Sequence, residues 1–128
     1  MTTYPAQIDG LDMAALPPRP LHFTVNFRFE SEELTPASRA QLPEILRATR
    51  ERAMPEVVVI GHTDTAGPAA RNLQLSLKRA TAVRAFLIET RVDPAMIEVL
   101  SHGEAEPLVQ TGDNVVESRN RRVEITVR

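Results

Sequence analysis

Val57-Val58-Val59-Ile60-Gly61-His62-Thr63-Asp64-Thr65-Ala66-Gly67 is the stretch on which the fold turns. Its β-branched run after Pro55 reads as a central strand covered on both faces. The polar, glycine-containing segment from Gly61 to Ala70 then reads as a loop. From about Asn72 to Thr90 the sequence takes on a helical period, with Leu73, Leu77, Ala80 and Leu87 as its apolar face. Strand, loop and helix in that order place the loop at the end of a buried strand, where open α/β sheets commonly bind ligands.

Nearer the N-terminus, Leu21-His22-Phe23-Thr24-Val25-Asn26-Phe27-Arg28-Phe29 alternates with a period of two. That spacing predicts a strand with Leu21, Phe23, Val25, Phe27 and Phe29 on one buried face. Thr35-Pro36 carries a helix start, Thr as cap and Pro in the first turn. Leu42, Ile45 and Leu46 give the helix an apolar side, and Pro43 marks a kink or break. Beyond Val92-Asp93-Pro94, Ile97-Glu98-Val99-Leu100 reads as a third strand. After a long loop with Gly103, Pro107 and Gly112, Val123-Glu124-Ile125-Thr126-Val127 reads as a fourth. The order β-α-β-α-β-β predicts an α+β two-layer sandwich, a mixed sheet with helices on one face.

The 128 residues suit one globular domain. Four prolines among the first twenty residues mark 1–20 as a lead-in or linker and 21–128 as the domain. Fifteen basic against seventeen acidic residues give a formal charge of −2, so nucleic acid is not the expected partner. Lys78 is the lone lysine, all other basic residues being arginine. Such a skew suits bidentate carboxylate recognition and equally follows from a GC-rich genome. Without cysteine, disulfides and thiolate zinc sites are excluded. No stretch is long and apolar enough to span a bilayer, and residues 1–20 lack the pattern of a secretory signal. The chain is therefore expected either in the cytosol or as part of a larger protein.

If the helix begins near Asn72, then Asn72, Ser76 and Arg79 share one polar stripe. Asp64 can fold over it from the loop. An acid and a guanidinium on separate elements match a zwitterion, the acid taking an ammonium and the arginine a carboxylate. The same spacing equally describes an internal ion pair that pins loop to helix.

Gly61-His62-Thr63-Asp64-Thr65-Ala66-Gly67, then Asn72, then Leu75-Ser76-Leu77-Lys78-Arg79-Ala80 with Val83, and finally Asn120-Arg121-Arg122-Val123-Glu124-Ile125, resemble the OmpA-like C-terminal peptidoglycan-binding domain. That family includes peptidoglycan-associated lipoproteins and the periplasmic part of flagellar stator proteins. The resemblance covers about Phe23 to Arg128. It implies non-covalent binding of the diaminopimelate-containing peptide stem of peptidoglycan. It also implies a place in the periplasm of a Gram-negative bacterium, outer-membrane associated, with an anchor or envelope domain upstream and no cofactor. By the same resemblance Asp64 would meet the diaminopimelate ammonium and Arg79 its carboxylate. Asn72 and Arg121 would be further contacts, and Thr65, Ala66 and Gly67 would offer backbone N–H groups. One block departs from the family pattern: Phe27-Arg28-Phe29-Glu30 stands where many members carry Phe-Asp-Phe-Asp. Arg28 and Glu30 are therefore expected at the rim, with Arg28 repelling an ammonium or capturing another carboxylate.

Two other function classes leave weaker traces. An enzyme would draw on His22, His62 and His102 with Asp64 and Ser101. His62-x-Asp64 is only two ligands of a metal set, and no G-x-S-x-G nucleophile turn is present. Gly61 to Gly67 has neither the G-x-G-x-x-G spacing nor the terminal Gly-Lys-Ser/Thr of a phosphate loop. No catalysis is expected. The remaining alternative is an OmpA-like fold that has lost its ligand and serves as a protein-interaction module, for which Arg28 is the main argument.

Overall fold

The computed structural model describes residues 19–128, so the lead-in assigned to 1–20 lies outside the described residues except for its last two. Four strands form one sheet in the order β1-β4-β2-β3. They are β1 (Leu21–Asn26), β2 (Val57–His62), β3 (Ile97–Gly103) and β4 (Arg122–Val127). β4 runs antiparallel to both β1 and β2, and β2 pairs in parallel with β3. A parallel pair needs a crossover, which the long helix α3 (Ala69–Glu89) supplies. This is the mixed α+β sheet that the element order predicts.

Between β1 and β2 lie α1 (Pro36–Arg39) and α2 (Leu42–Arg50). Thr35 caps α1, its hydroxyl accepting from the Ser38 N–H at 3.3 Å. The break between the helices falls just before Pro43, whose missing N–H is harmless in a first turn. Val25, Phe27, Ile45, Val57, Val59, Val123, Ile125 and Val127 form the core with Ala80, Val83 and Leu87 of α3. Each of the larger apolar side chains contributes roughly 1.5–3 kcal/mol through burial.

Several expectations need correction. β1 stops at Asn26, with Phe27 making only an isolated bridge to Leu34, because the chain turns at Arg28–Ser31. Phe29 consequently leaves the core and is 48% exposed, and Leu21 at the sheet's edge is also exposed. β2 is central, but helices cover one face; Val58 and Ile60 on the other are half-buried. β3 does not end at Leu100 but runs on to Gly103, so His102 and Gly103 belong to the strand and not to the loop after it.

The largest correction concerns α3. It begins three residues before Asn72, and its inner face is a different stripe from the one expected. Leu73 and Leu77 are 49% and 47% exposed, whereas Asn72, Ser76 and Arg79 are buried in line with Ala80, Val83 and Leu87. The sheet end beneath them has no room for leucine. Gly61 lies so close to α3 that a Cβ there would fall 1.9 Å from the Ser76 carbonyl oxygen. Small and polar residues are what that approach permits.

Candidate functional site

At the end of β2 the chain enters the loop 63–67, and its first acid is tightly held. Asp64 Oδ1 accepts from the Ala66 N–H at 3.2 Å, and Oδ2 accepts from the Glu117 N–H at 3.1 Å and from Arg121 Nη1 at 3.2 Å. The carboxylate is therefore partnered by Arg121, which sits just before β4, and not by Arg79. Arg121 also donates from Nε to the Phe27 carbonyl at 3.2 Å, and the Phe29 ring lies 5.6 Å from its Cζ.

Arg79 is fully buried, and its guanidinium serves three carbonyl oxygens. Nε donates to Ser31 at 2.9 Å, Nη1 to His62 at 3.2 Å and Nη2 to Arg28 at 3.1 Å. Its Cζ stands 5.4 Å from the Phe27 ring. Among the described residues no carboxylate forms an ion pair with it. Burial, and then the positive charge of Arg121, lower its pKa to about 10, while Asp64 pulls the other way. At neutral pH it is still a cation, one that carbonyl dipoles solvate without a counter-ion.

Asn72 closes the loop from the helix side. Its Nδ2 lies 3.2 and 3.1 Å from the carbonyl oxygens of Asp64 and Ala66, and 3.0 Å from Glu104 Oε1. Thr65 Oγ donates to the Gly112 carbonyl at 2.8 Å and accepts from the Val115 N–H at 2.9 Å. The Gly67 N–H donates to Asn114 Oδ1 at 3.0 Å, and Gly67 has φ of +84°, the left-handed region where glycine fits. The Ala66 and Gly67 N–H groups expected for a ligand thus have acceptors within the chain. Among the described residues the Thr65 N–H has none.

Of the sequence-assigned residues, the structure brings together Asp64, Arg121, Asn72 and the loop 65–67, with Arg79 beside them. Arg28 projects outward and is half-exposed, 3.7 Å from Glu33, while Glu30 pairs with Arg71 at 2.8 Å. Sequence reasoning missed the clasp from the β3–β4 loop, made by Glu104, Asn114 and Glu117. Asn120, which the sequence shows only as part of the family motif, is buried and doubly bonded to the Val109 backbone and anchors that loop.

The histidines stand apart from this cluster. His22 contacts Thr126 Oγ1 at 3.1 Å on the exposed sheet face. His62 is buried, its ring edge-on to His102 with centroids 5.3 Å apart and its Nε2 3.3 Å from Glu124. That carboxylate contact is electrostatic, not a well-directed hydrogen bond. Burial and then the charge of Arg122 lower the His62 pKa despite Glu124. Burial pushes Glu124 up, but the hydrogen bond from Arg122 and the His62 charge outweigh it and hold its carboxyl below the ordinary value. Among the described residues no three His, Asp or Glu side chains converge as a metal site, and no helix is long and apolar enough to cross a membrane.

Residues 26–121 match the model of the OmpA family, three-quarters of the chain and the whole of this site. The chain belongs to the OmpA family. Among its relatives is an outer membrane protein A of Bordetella avium, 30% identical over 93% of this chain and 66% of that protein. A peptidoglycan-associated lipoprotein of Pseudomonas putida is 34% identical over 80% of this chain and 61% of the other. The chain thus spans less than two-thirds of either relative. Among solved structures, the peptidoglycan-associated lipoprotein of Burkholderia pseudomallei superposes with a TM-score of 0.73 at 28% identity, covering 82% of this chain and 89% of that one. The cell wall anchor of the type VI secretion system of Pseudomonas aeruginosa does so at 0.68 and 29%, covering 84% and 80%. These relatives are outer-membrane and peptidoglycan-associated proteins of Gram-negative bacteria, and OmpA-like domains of this kind generally bind peptidoglycan and anchor proteins to the cell wall.

Proposed function

We propose that this domain, residues 21–128, binds the diaminopimelate-containing peptide stem of peptidoglycan without covalent chemistry. It would thereby tether an envelope protein, through the lead-in 1–20, to the cell wall of a Gram-negative bacterium. The observation that carries this reading is the buried Arg79 cation, which among the described residues pairs with no carboxylate and lies beside an acid already committed to Arg121. A ligand carboxylate supplies the missing counter-charge at Arg79, and the ligand ammonium shares Asp64 with Arg121. Each is a charge-assisted hydrogen bond in a water-poor site, the strong kind. Asn72 holds the loop in shape for this exchange, and the Thr65 N–H is available to a ligand oxygen. Arg28 and Glu30 lie at the rim, where Arg28 favours stems with a further free carboxylate. The work is reversible recognition, with no bond made or broken.

The test is chemical-shift mapping with a diaminopimelate-containing tripeptide. Movement at Asp64, Thr65, Asn72, Arg79 and Arg121 is expected. Shifts confined to the far end of the sheet, or none at millimolar peptide, would favour an interaction module that does not take this ligand.

A further inference from the structure

The carbonyl oxygens that solvate Arg79 come from two places. His62 belongs to β2 and is fixed in the sheet. Arg28 and Ser31 belong to the turn between β1 and α1. The same turn lays Phe27 by the Arg79 guanidinium and Phe29 by that of Arg121. One short segment therefore covers both cations.

Apart from the two bonds from Arg79, the Arg28–Ser31 stretch is lightly held. Within it, the Arg28 N–H donates to the Glu33 carbonyl at 2.9 Å and the Glu33 N–H to Ser31 Oγ at 2.8 Å. Glu30, at its tip, has φ of +48°, a left-handed conformation that a residue with a Cβ adopts at a cost. The tip's tie to α3 is the Glu30–Arg71 ion pair, both side chains about half-exposed. Beside the turn lies a recess of about 550 Å³, lined by Phe27, Arg28, Phe29, Thr35, Ser118 and Arg121, with room for displaced backbone.

We infer that the Arg28–Ser31 turn is a lid whose carbonyl oxygens stand in for the carboxylate oxygens of the ligand, and that Glu30–Arg71 is its latch. The inference rests on the peptide-stem reading of the site. A carboxylate makes the stronger bond to a guanidinium, so it displaces two carbonyls that a neutral ligand would leave in place. The closed form lowers apparent affinity by the fraction of molecules that are open. An exposed ion pair is weak, holding the latch by no more than about fivefold.

The experiment compares wild type with Arg71→Gln, Glu30→Gln and the double variant. Two readouts are taken: calorimetric affinity for the diaminopimelate tripeptide, and solvent exchange of the Arg79 Nε–H by NMR in ligand-free protein. If the pair is a latch, each single variant binds about two- to fivefold tighter and the double variant no tighter than the singles. Exchange at Arg79 Nε–H accelerates by a similar factor in all three. Weaker binding in the variants would mean that Glu30 or Arg71 touches ligand, and would overturn the latch. Unchanged exchange would overturn the lid. If the peptide binds none of the four proteins, the functional reading fails. Faster exchange in the free variants then still supports the lid, and unchanged exchange removes it too.

Discussion

Burying a guanidinium costs several kcal/mol unless its N–H groups find acceptors, and at Arg79 three carbonyls meet that cost. So placed, Arg79 is part of the fold as well as of the site. Arg79→Ala would leave the Ser31, His62 and Arg28 carbonyls short of a donor and open a void beside Phe27. Its stability in urea should fall by roughly 3–5 kcal/mol. A fall below about 1 kcal/mol would show that water replaces the guanidinium freely. The residue's importance was legible in the sequence through the Asn72, Ser76, Arg79 spacing and the family motif. Its partner was not. Spacing alone cannot tell which of two guanidiniums, Arg79 or Arg121, reaches Asp64, because Arg121 lies 57 residues further along the chain, just before β4.

At the scale of elements, the strands were readable from alternation and β-branching, and the α1–α2 break from Pro43. The face that α3 buries differs from its most hydrophobic one for a physical reason. Leu73 and Leu77 look like core by hydrophobicity, yet the stripe through Asn72 and Ser76 runs unbroken into Ala80, Val83 and Leu87. Following that stripe backward from its apolar half gives the buried face. Gly61 in the facing strand is the sequence counterpart, since it lets the helix come within contact of the sheet backbone at Ser76. β1 is shorter than its alternation suggests, because Phe27 and Phe29 continue the period past the point where the chain turns. The clasp of the β3–β4 loop over the Asp64 loop left no periodic signal. It rests on single contacts, from the Asn114 and Asn120 side chains and the Glu117 backbone N–H, that only the folded chain brings to bear.

For the whole molecule, the uncovered sheet face carries a stability term separate from ligand binding. Burial depresses His62 in the folded state below its ordinary 6.5, with Arg122 adding to the effect, Glu124 opposing it and His102 packed against the ring. Between the depressed value and 6.5 the unfolded chain takes up a proton that the folded one does not. Stability should therefore be full above about pH 6.5, fall as pH drops through that window, and level off below it. Glu124, held low in the folded state, adds a separate loss only at more acid pH, below its ordinary 4.5. Thermal melts at pH 7.5 and pH 5 should separate further in wild type than in His62→Gln. Equal separations would mean that His62 stays neutral, or charges freely, in both states.

Whether a ligand carboxylate completes the charge at Arg79 can be measured without altering the protein. Calorimetric titration with two tripeptides identical but for lysine in place of diaminopimelate changes that carboxylate alone and retains the ammonium that Asp64 receives. A buried charged contact is worth roughly 2–4 kcal/mol, so the diaminopimelate peptide should bind on the order of thirtyfold or more tighter. Equal affinities for the two peptides would contradict the account and leave Arg79 a structural cation.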